Sequence, residues 1–120
     1  MKNLIFALCC MIGLFGCATA PKSLYYWGSY PNQTYLMYSD TTKASPSAQI
    51  NTLEKDIQKA QAKNLAIPPG FYAHLGLMYL EEGNYSKAEN YFHLEKQVYP
   101  ESTTLINRLL NEKSLSEPQS

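Results

Sequence analysis

Proline and glycine cut the second half of this chain at fixed places, and the pieces between them are too short for anything but small helices. Pro68-Pro69-Gly70 forbids a helix from running through, because neither proline offers a backbone N–H. Gly83-Asn84 is a second stop and Pro100 a third. Between them the pattern predicts a helix over about Pro69–Glu82, where proline suits the first turn, and another over about Tyr85–Tyr99. Upstream, Ile50, Leu53, Ile57 and Ala60 recur at i, i+3, i+7 and i+10, which gives Ser47–Lys63 one apolar stripe. Asp56 and Lys59 read as an i,i+3 pair on its polar side. Asp40–Pro46 is turn chemistry, and Pro31-Asn32 opens a short helix carrying Tyr35, Leu36 and Tyr38. Ser102 is placed to cap a last helix through Leu105, Ile106, Leu109 and Leu110, before the polar segment from Glu112 to Ser120. No segment reads as a strand. The expected architecture is all-α with about five helices.

Residues 69–102 have the length and pattern of one tetratricopeptide repeat, about 34 residues. Tyr72, Leu75-Gly76, Tyr79, Ala88, Phe92 and Pro100 stand where that repeat has its aromatic, Leu-Gly pair, tyrosine, small residue, second aromatic and terminal proline. Gly76 and Ala88 are small enough for two antiparallel helices to approach closely, and Tyr72, Leu75, Tyr79 and Phe92 would fill the seam around them. The resemblance implies a concave face on the first helix at Gly70, Ala73, Leu77, Leu80 and Glu81, a candidate groove for a partner. Glu95 departs from the pattern, since the repeat has alanine there. A carboxylate among packed helices needs a partner, and Lys96, Arg108 and His74 are the candidates for an ion pair. A single hairpin cannot cover its own apolar faces, so the segments at 25–38 and 47–63 are expected on one side and 102–111 on the other.

The N-terminus carries a different signal. Met1-Lys2-Asn3 is a short basic start, and the apolar run from Leu4 to Phe15 follows it. Twelve residues at helical rise cover about 18 Å, short of a hydrocarbon core of about 30 Å, so the run reads as a secretory signal. Leu14-Phe15-Gly16-Cys17 resembles the bacterial lipobox, although Phe15 is bulkier than usual there; the alternative is an ordinary signal cut after Ala18-Thr19-Ala20. The lipobox implies cleavage before Cys17, which would carry diacylglycerol and an acyl chain, and Ala18 after it implies sorting to the outer membrane. Cys9 and Cys10 would leave with the signal, so the only remaining thiol is the one acylation consumes. The chain then divides into a signal at 1–16, the lipidated Cys17 with a tether to 24, a helical domain over 25–112, and a polar tail over 113–120.

Several chemistries find no support. Ten Lys and Arg balance ten Asp and Glu, which excludes gripping nucleic acid or an anionic bilayer through a basic face as the chain's main work, while 45% apolar and 17% charged residues exclude a disordered chain. No Ser/His/Asp or Cys/His arrangement stands out, and Glu81-Glu82 are adjacent and point about 100° apart on a helix. His74 and His93 with Glu95 fall short of a zinc ligand set and read as surface or second-layer histidines, so no catalytic residue, metal or soluble cofactor is expected. Tyr25-Tyr26-Trp27 has two readings, packing on the next helix or seating in lipid headgroups, and packing is the expectation.

Tyr26-Trp27-Gly28-x-Tyr30, Ile50-x-x-Leu53-Glu54, Pro68-Pro69-Gly70, Ala73-His74-Leu75-Gly76 and Glu95-Lys96-x-x-Tyr99-Pro100-Glu101-Ser102 together resemble a family of small Gram-negative lipoproteins of unknown function. Its members are often encoded beside a curli-secretion-channel-like lipoprotein. The resemblance implies an envelope complex and names no activity. The expected function is a non-enzymatic, lipid-anchored scaffold or accessory subunit at the outer membrane, facing the periplasm and binding another envelope protein, with a curli-channel-like lipoprotein as one candidate partner. The alternative is a structural lipoprotein associated with peptidoglycan.

Overall fold

A computed structural model describes Ala20 and residues 22–116, the last four as backbone only; the segment read as a signal and Cys17 lie outside the described residues. Five α-helices follow one another: α1 (Tyr30–Ser39), α2 (Pro46–Ala62), α3 (Phe71–Glu81), α4 (Tyr85–Val98) and α5 (Thr103–Ser116). A 3-10 turn, Pro100–Ser102, joins the last two. The described residues are therefore all-α with about five helices, and they contain no strand. A single parallel bridge between Tyr25 and Ala66 is the one extended pairing among them.

The helix starts follow from short polar side chains and prolines. Ser45 Oγ accepts from Ala48 N at 3.4 Å ahead of Pro46, and Asn84 Oδ1 accepts from Lys87 N at 3.2 Å to open α4. α3 begins two residues later than the prolines suggest. Pro69 lies in a turn, and Gly70, at φ 88°, is the N-cap, a left-handed conformation that glycine adopts without strain. Ser102 does not cap α5; it sits within the 3-10 turn and its hydroxyl turns inward. α5 continues to Ser116, into the segment read as tail.

The apolar stripe of α2 closes on α3: Leu53 and Ala60 are buried, as are Phe71, Leu75, Met78 and Tyr79 of α3, Ala88 and Phe92 of α4, and Ile106 of α5. α3 and α4 form the tightest pair. A Cβ placed on Gly76 would lie 2.6 Å from Phe92 Cε1 and 3.2 Å from the Ala88 carbonyl oxygen, so only glycine admits this approach. Asp56 is buried, against its reading as part of a solvent-facing pair. The turn at 27–30 folds over it, Ser29 N donates to Asp56 Oδ2 at 2.7 Å, and Lys59 reaches its other oxygen only at 3.8 Å. α1 thus docks through a backbone amide on a carboxylate of α2.

Candidate functional site

Three helices leave an open cleft of about 320 Å³. α3 supplies its floor with Gly70, Ala73, His74 and Leu77. α1 supplies one wall with Tyr30, Thr34, Met37 and Tyr38, and α5 the other with Leu105 and Leu109. The four α1 residues recur at i, i+4, i+7 and i+8, one helical face. That spacing is visible in the sequence, and the reading by way of Tyr35, Leu36 and Tyr38 passes over it. Of the five residues expected in a groove, Gly70, Ala73 and Leu77 come together there. Leu80 packs against the core, as Leu77 also does, but does not line the cleft, and Glu81 is exposed outside it. The lips are apolar but uncovered: Tyr38 is 84% exposed and Leu105 53%.

The floor is fixed from below by Glu95. Its side chain has no exposed surface, and the expected ion pair is not what holds it. Gly70 N donates to Oε1 at 2.7 Å, Ala73 N to Oε2 at 3.3 Å, and Ser102 Oγ to Oε1 at 3.1 Å. The first two donors are among the amides a helix start leaves without partners, and the positive end of the helix favours an anion there. Lys96 donates to Asn107 instead, at 3.0 Å. Burial, and after it the Glu95 charge, pushes the phenols of Tyr30 and Tyr72 above their ordinary 10.0.

His74 is buried, unlike the surface or second-layer residue expected. Its Nε2 lies 2.8 Å from Gln49 Oε1, while Gln49 Nε2 donates to the Ala44 carbonyl at 2.8 Å. With the amide so oriented, His74 Nε2 is the donor, and burial favours the neutral ring. Burial accordingly pushes its pKa below 6.5. Tyr30 closes the end of the cleft, its ring 5.2 Å from Phe71 and 5.8 Å from His74. His93 is exposed and 3.6 Å from Glu89. Among the described residues no three His, Cys, Asp or Glu side chains converge as metal ligands, and no buried side-chain nitrogen or oxygen lacks a partner.

Elsewhere, Tyr79 of α3 and Tyr91 of α4 stack at 5.6 Å and both donate to Glu54 Oε1 of α2, Tyr91 at 3.3 Å. Lys87 Nζ donates to the Tyr79 oxygen at 3.2 Å. Burial first, and the Glu54 bond second, pushes Tyr79 up to about 12, so this phenol holds its proton and serves as a tie between helices.

The model of one family, "Domain of unknown function (DUF4810)", matches residues 24–109, from the first fixed turn to the Leu109 wall of the cleft. No curated protein and no solved structure matches the chain.

Proposed function

The chain belongs to the DUF4810 family, and from its own residues we propose that it is a non-enzymatic, lipid-anchored scaffold or accessory subunit that binds another cell-envelope protein. One observation carries the reading. Tyr38 and Leu105 stand exposed on facing lips above an apolar floor of Ala73 and Leu77. Exposed apolar side chains gathered round a concavity mark interaction sites, and a partner's helix or extended segment offering two or three apolar residues fits between α1 and α5. The buried polar groups near the floor, Glu95 and His74, are already satisfied within the domain, which leaves positioning as their work.

The anchor rests on the lipobox at Leu14–Cys17, and sorting to the outer membrane rests on Ala18; a periplasmic face is part of the proposal. No helix among the described residues is long and apolar enough to cross a membrane, so an acyl chain on Cys17 would be what holds this domain there. The α3–α4 pair is read as one tetratricopeptide-like hairpin, flanked by α2 and α5 in place of further repeats.

A photo-crosslinking residue placed at Tyr38 tests this in the full chain, expressed with its own leader in a Gram-negative host. Tyr38 should capture another envelope protein, whereas the same residue at Lys55, exposed on α2, should not. Leu105→Asp, a surface change that leaves the core intact, should abolish capture with an unchanged circular dichroism spectrum. Equal capture from Lys55, or capture that survives Leu105→Asp, would overturn the cleft as the binding site.

A further inference from the structure

The packing expected of the aromatic cluster at 25–27 holds only in part. Tyr26 N donates to the Ala66 carbonyl at 2.8 Å, the Tyr26 ring packs against the core, and the Lys63 ammonium lies 5.2 Å from its centroid. This backbone is therefore fixed to the body of the domain. Yet Leu24 is 78% exposed and Trp27 47%, with only the edge of Tyr25 against the indole, at 6.1 Å. Two large apolar side chains thus stand uncovered on a segment that is held in place. The sequence has one Trp, and it is this one.

The neighbours of this segment share a chemistry. Lys22, Leu24, Lys63 and Leu65 line one shallow recess beside the end of α2. The carboxylate nearest to them in the chain, Asp56, is buried beneath the turn at 27–30, bonded to the Ser29 amide and shared with Lys59, so it is not open to solvent. Two cations beside an exposed leucine, with an exposed indole three residues further along the same fixed segment, match the headgroup layer of a bilayer. There Trp sits with its ring among glycerol and carbonyl groups, while Lys reaches the phosphates.

We infer that this end of the domain, carrying Leu24 and Trp27 with Lys22 and Lys63, rests on a phospholipid surface. The inference depends on the lipid anchor proposed above. From Cys17, the tether Ala18–Ser23 reaches at most about 20 Å even when extended, and the first fixed residues after it are the ones that present this face. With no net positive charge, the chain would not adhere to anionic lipid by electrostatics alone. The acyl chains supply the affinity, and Leu24 and Trp27 set which way the domain lies.

Trp27 is its own reporter. The full-length lipoprotein is purified in detergent, weighed by mass spectrometry, and reconstituted into phosphatidylethanolamine–phosphatidylglycerol vesicles. Lipid brominated near the glycerol end of its chains should quench most of the tryptophan emission, and aqueous iodide should quench much less than it does in detergent-free urea. Leu24→Asp should reverse both effects with an unchanged circular dichroism spectrum. A lipidated, vesicle-bound protein whose Trp27 is open to iodide and indifferent to bromine overturns this inference and leaves the anchor standing. Shielding from iodide without quenching by bromine means that protein, such as a second copy, covers the ring, and this too overturns it. A chain with no lipid mass overturns the anchor and the inference together.

Discussion

The three donors that converge on Glu95 come from two stretches of chain: Gly70 and Ala73 from the start of α3, and Ser102 from the turn that leads into α5. One carboxylate of α4 therefore sets the position of both elements that frame the cleft floor. In Glu95→Gln the amide nitrogen must face one of these N–H groups, which loses a bond and opposes two donors at a site with no access to water. The expected cost is about 1–3 kcal/mol. That corresponds to a fall in thermal midpoint on the order of 4–8 °C per kcal/mol. Glu95→Ala, which orphans both amides and leaves a void, should cost more, while Glu81→Gln on the exposed side of α3 should stay within about 0.5 kcal/mol. Thermal unfolding followed at 222 nm separates the three, and equal midpoints for the Gln variants would remove Glu95 from this role. At this scale the sequence is least legible. Glu95 stands out as a charge among packing positions, but its partners are backbone amides, which every residue has and no residue type advertises. Asp56 misleads for the same reason: Lys59 is visible at i+3, whereas the Ser29 amide is brought in by a turn 27 residues away.

At the scale of elements the reading is much closer, because helix formation depends on periodicity and on breakers that the sequence displays. The stripe Ile50, Leu53, Ile57, Ala60 faces the core as a period of 3.6 requires, and Pro68, Pro69 and Gly83 stand between helices where their backbone chemistry puts them. The close approach of α3 and α4 is also legible, since Gly76 and Ala88 are the small residues in two otherwise bulky stretches. What periodicity alone does not give is the face that α1 turns inward. Its exposed Tyr35 is as apolar as its inward Tyr30 and Met37, and only the tertiary docking through Asp56 separates them. The hairpin contact yields a direct prediction. Gly76→Leu or Ala88→Leu drives atoms into the fully buried Phe92 or the backbone beside it, a strain of about 1–3 kcal/mol or more, because a close-packed core has nowhere to move them. His93→Ala, on the exposed side of α4, should change stability by no more than about 0.5 kcal/mol. Urea midpoints measure the difference. All three variants behaving alike would mean that the two helices do not meet at Gly76.

For the whole molecule, protonation limits stability from both ends of the pH scale: the acid limit lies at a contact between α3 and α2, and the alkaline one at phenols of α3, of α4 and of Tyr99, whose hydroxyl donates to the Ile67 carbonyl. On the acid side the group is His74, which bonds Gln49 as a neutral imidazole and whose pKa burial pushes below 6.5. The unfolded chain then binds a proton that the folded chain refuses, so this contribution is complete above pH 6.5 and is lost as pH falls through that value toward the lower folded one. On the alkaline side the groups are Tyr79 and Tyr99, both pushed up from 10.0 to about 12 chiefly by burial, with Tyr91 raised as well. Here the unfolded chain releases protons first, so their contribution is complete below pH 10 and is lost as pH rises through about 12. Denaturant unfolding across pH should therefore give a plateau with two shoulders, the first one beginning near pH 6.5, before the carboxylates titrate. His74→Gln keeps an N–H donor toward Gln49 but cannot titrate, and it should move the acid shoulder to lower pH without touching the alkaline one. Tyr91→Phe removes one bond to Glu54 and one ionisable phenol, so it should lower the plateau and flatten the alkaline shoulder. An acid shoulder unchanged by His74→Gln would assign it to carboxylates, and the contact between α2 and the cleft floor would then carry no protonation control.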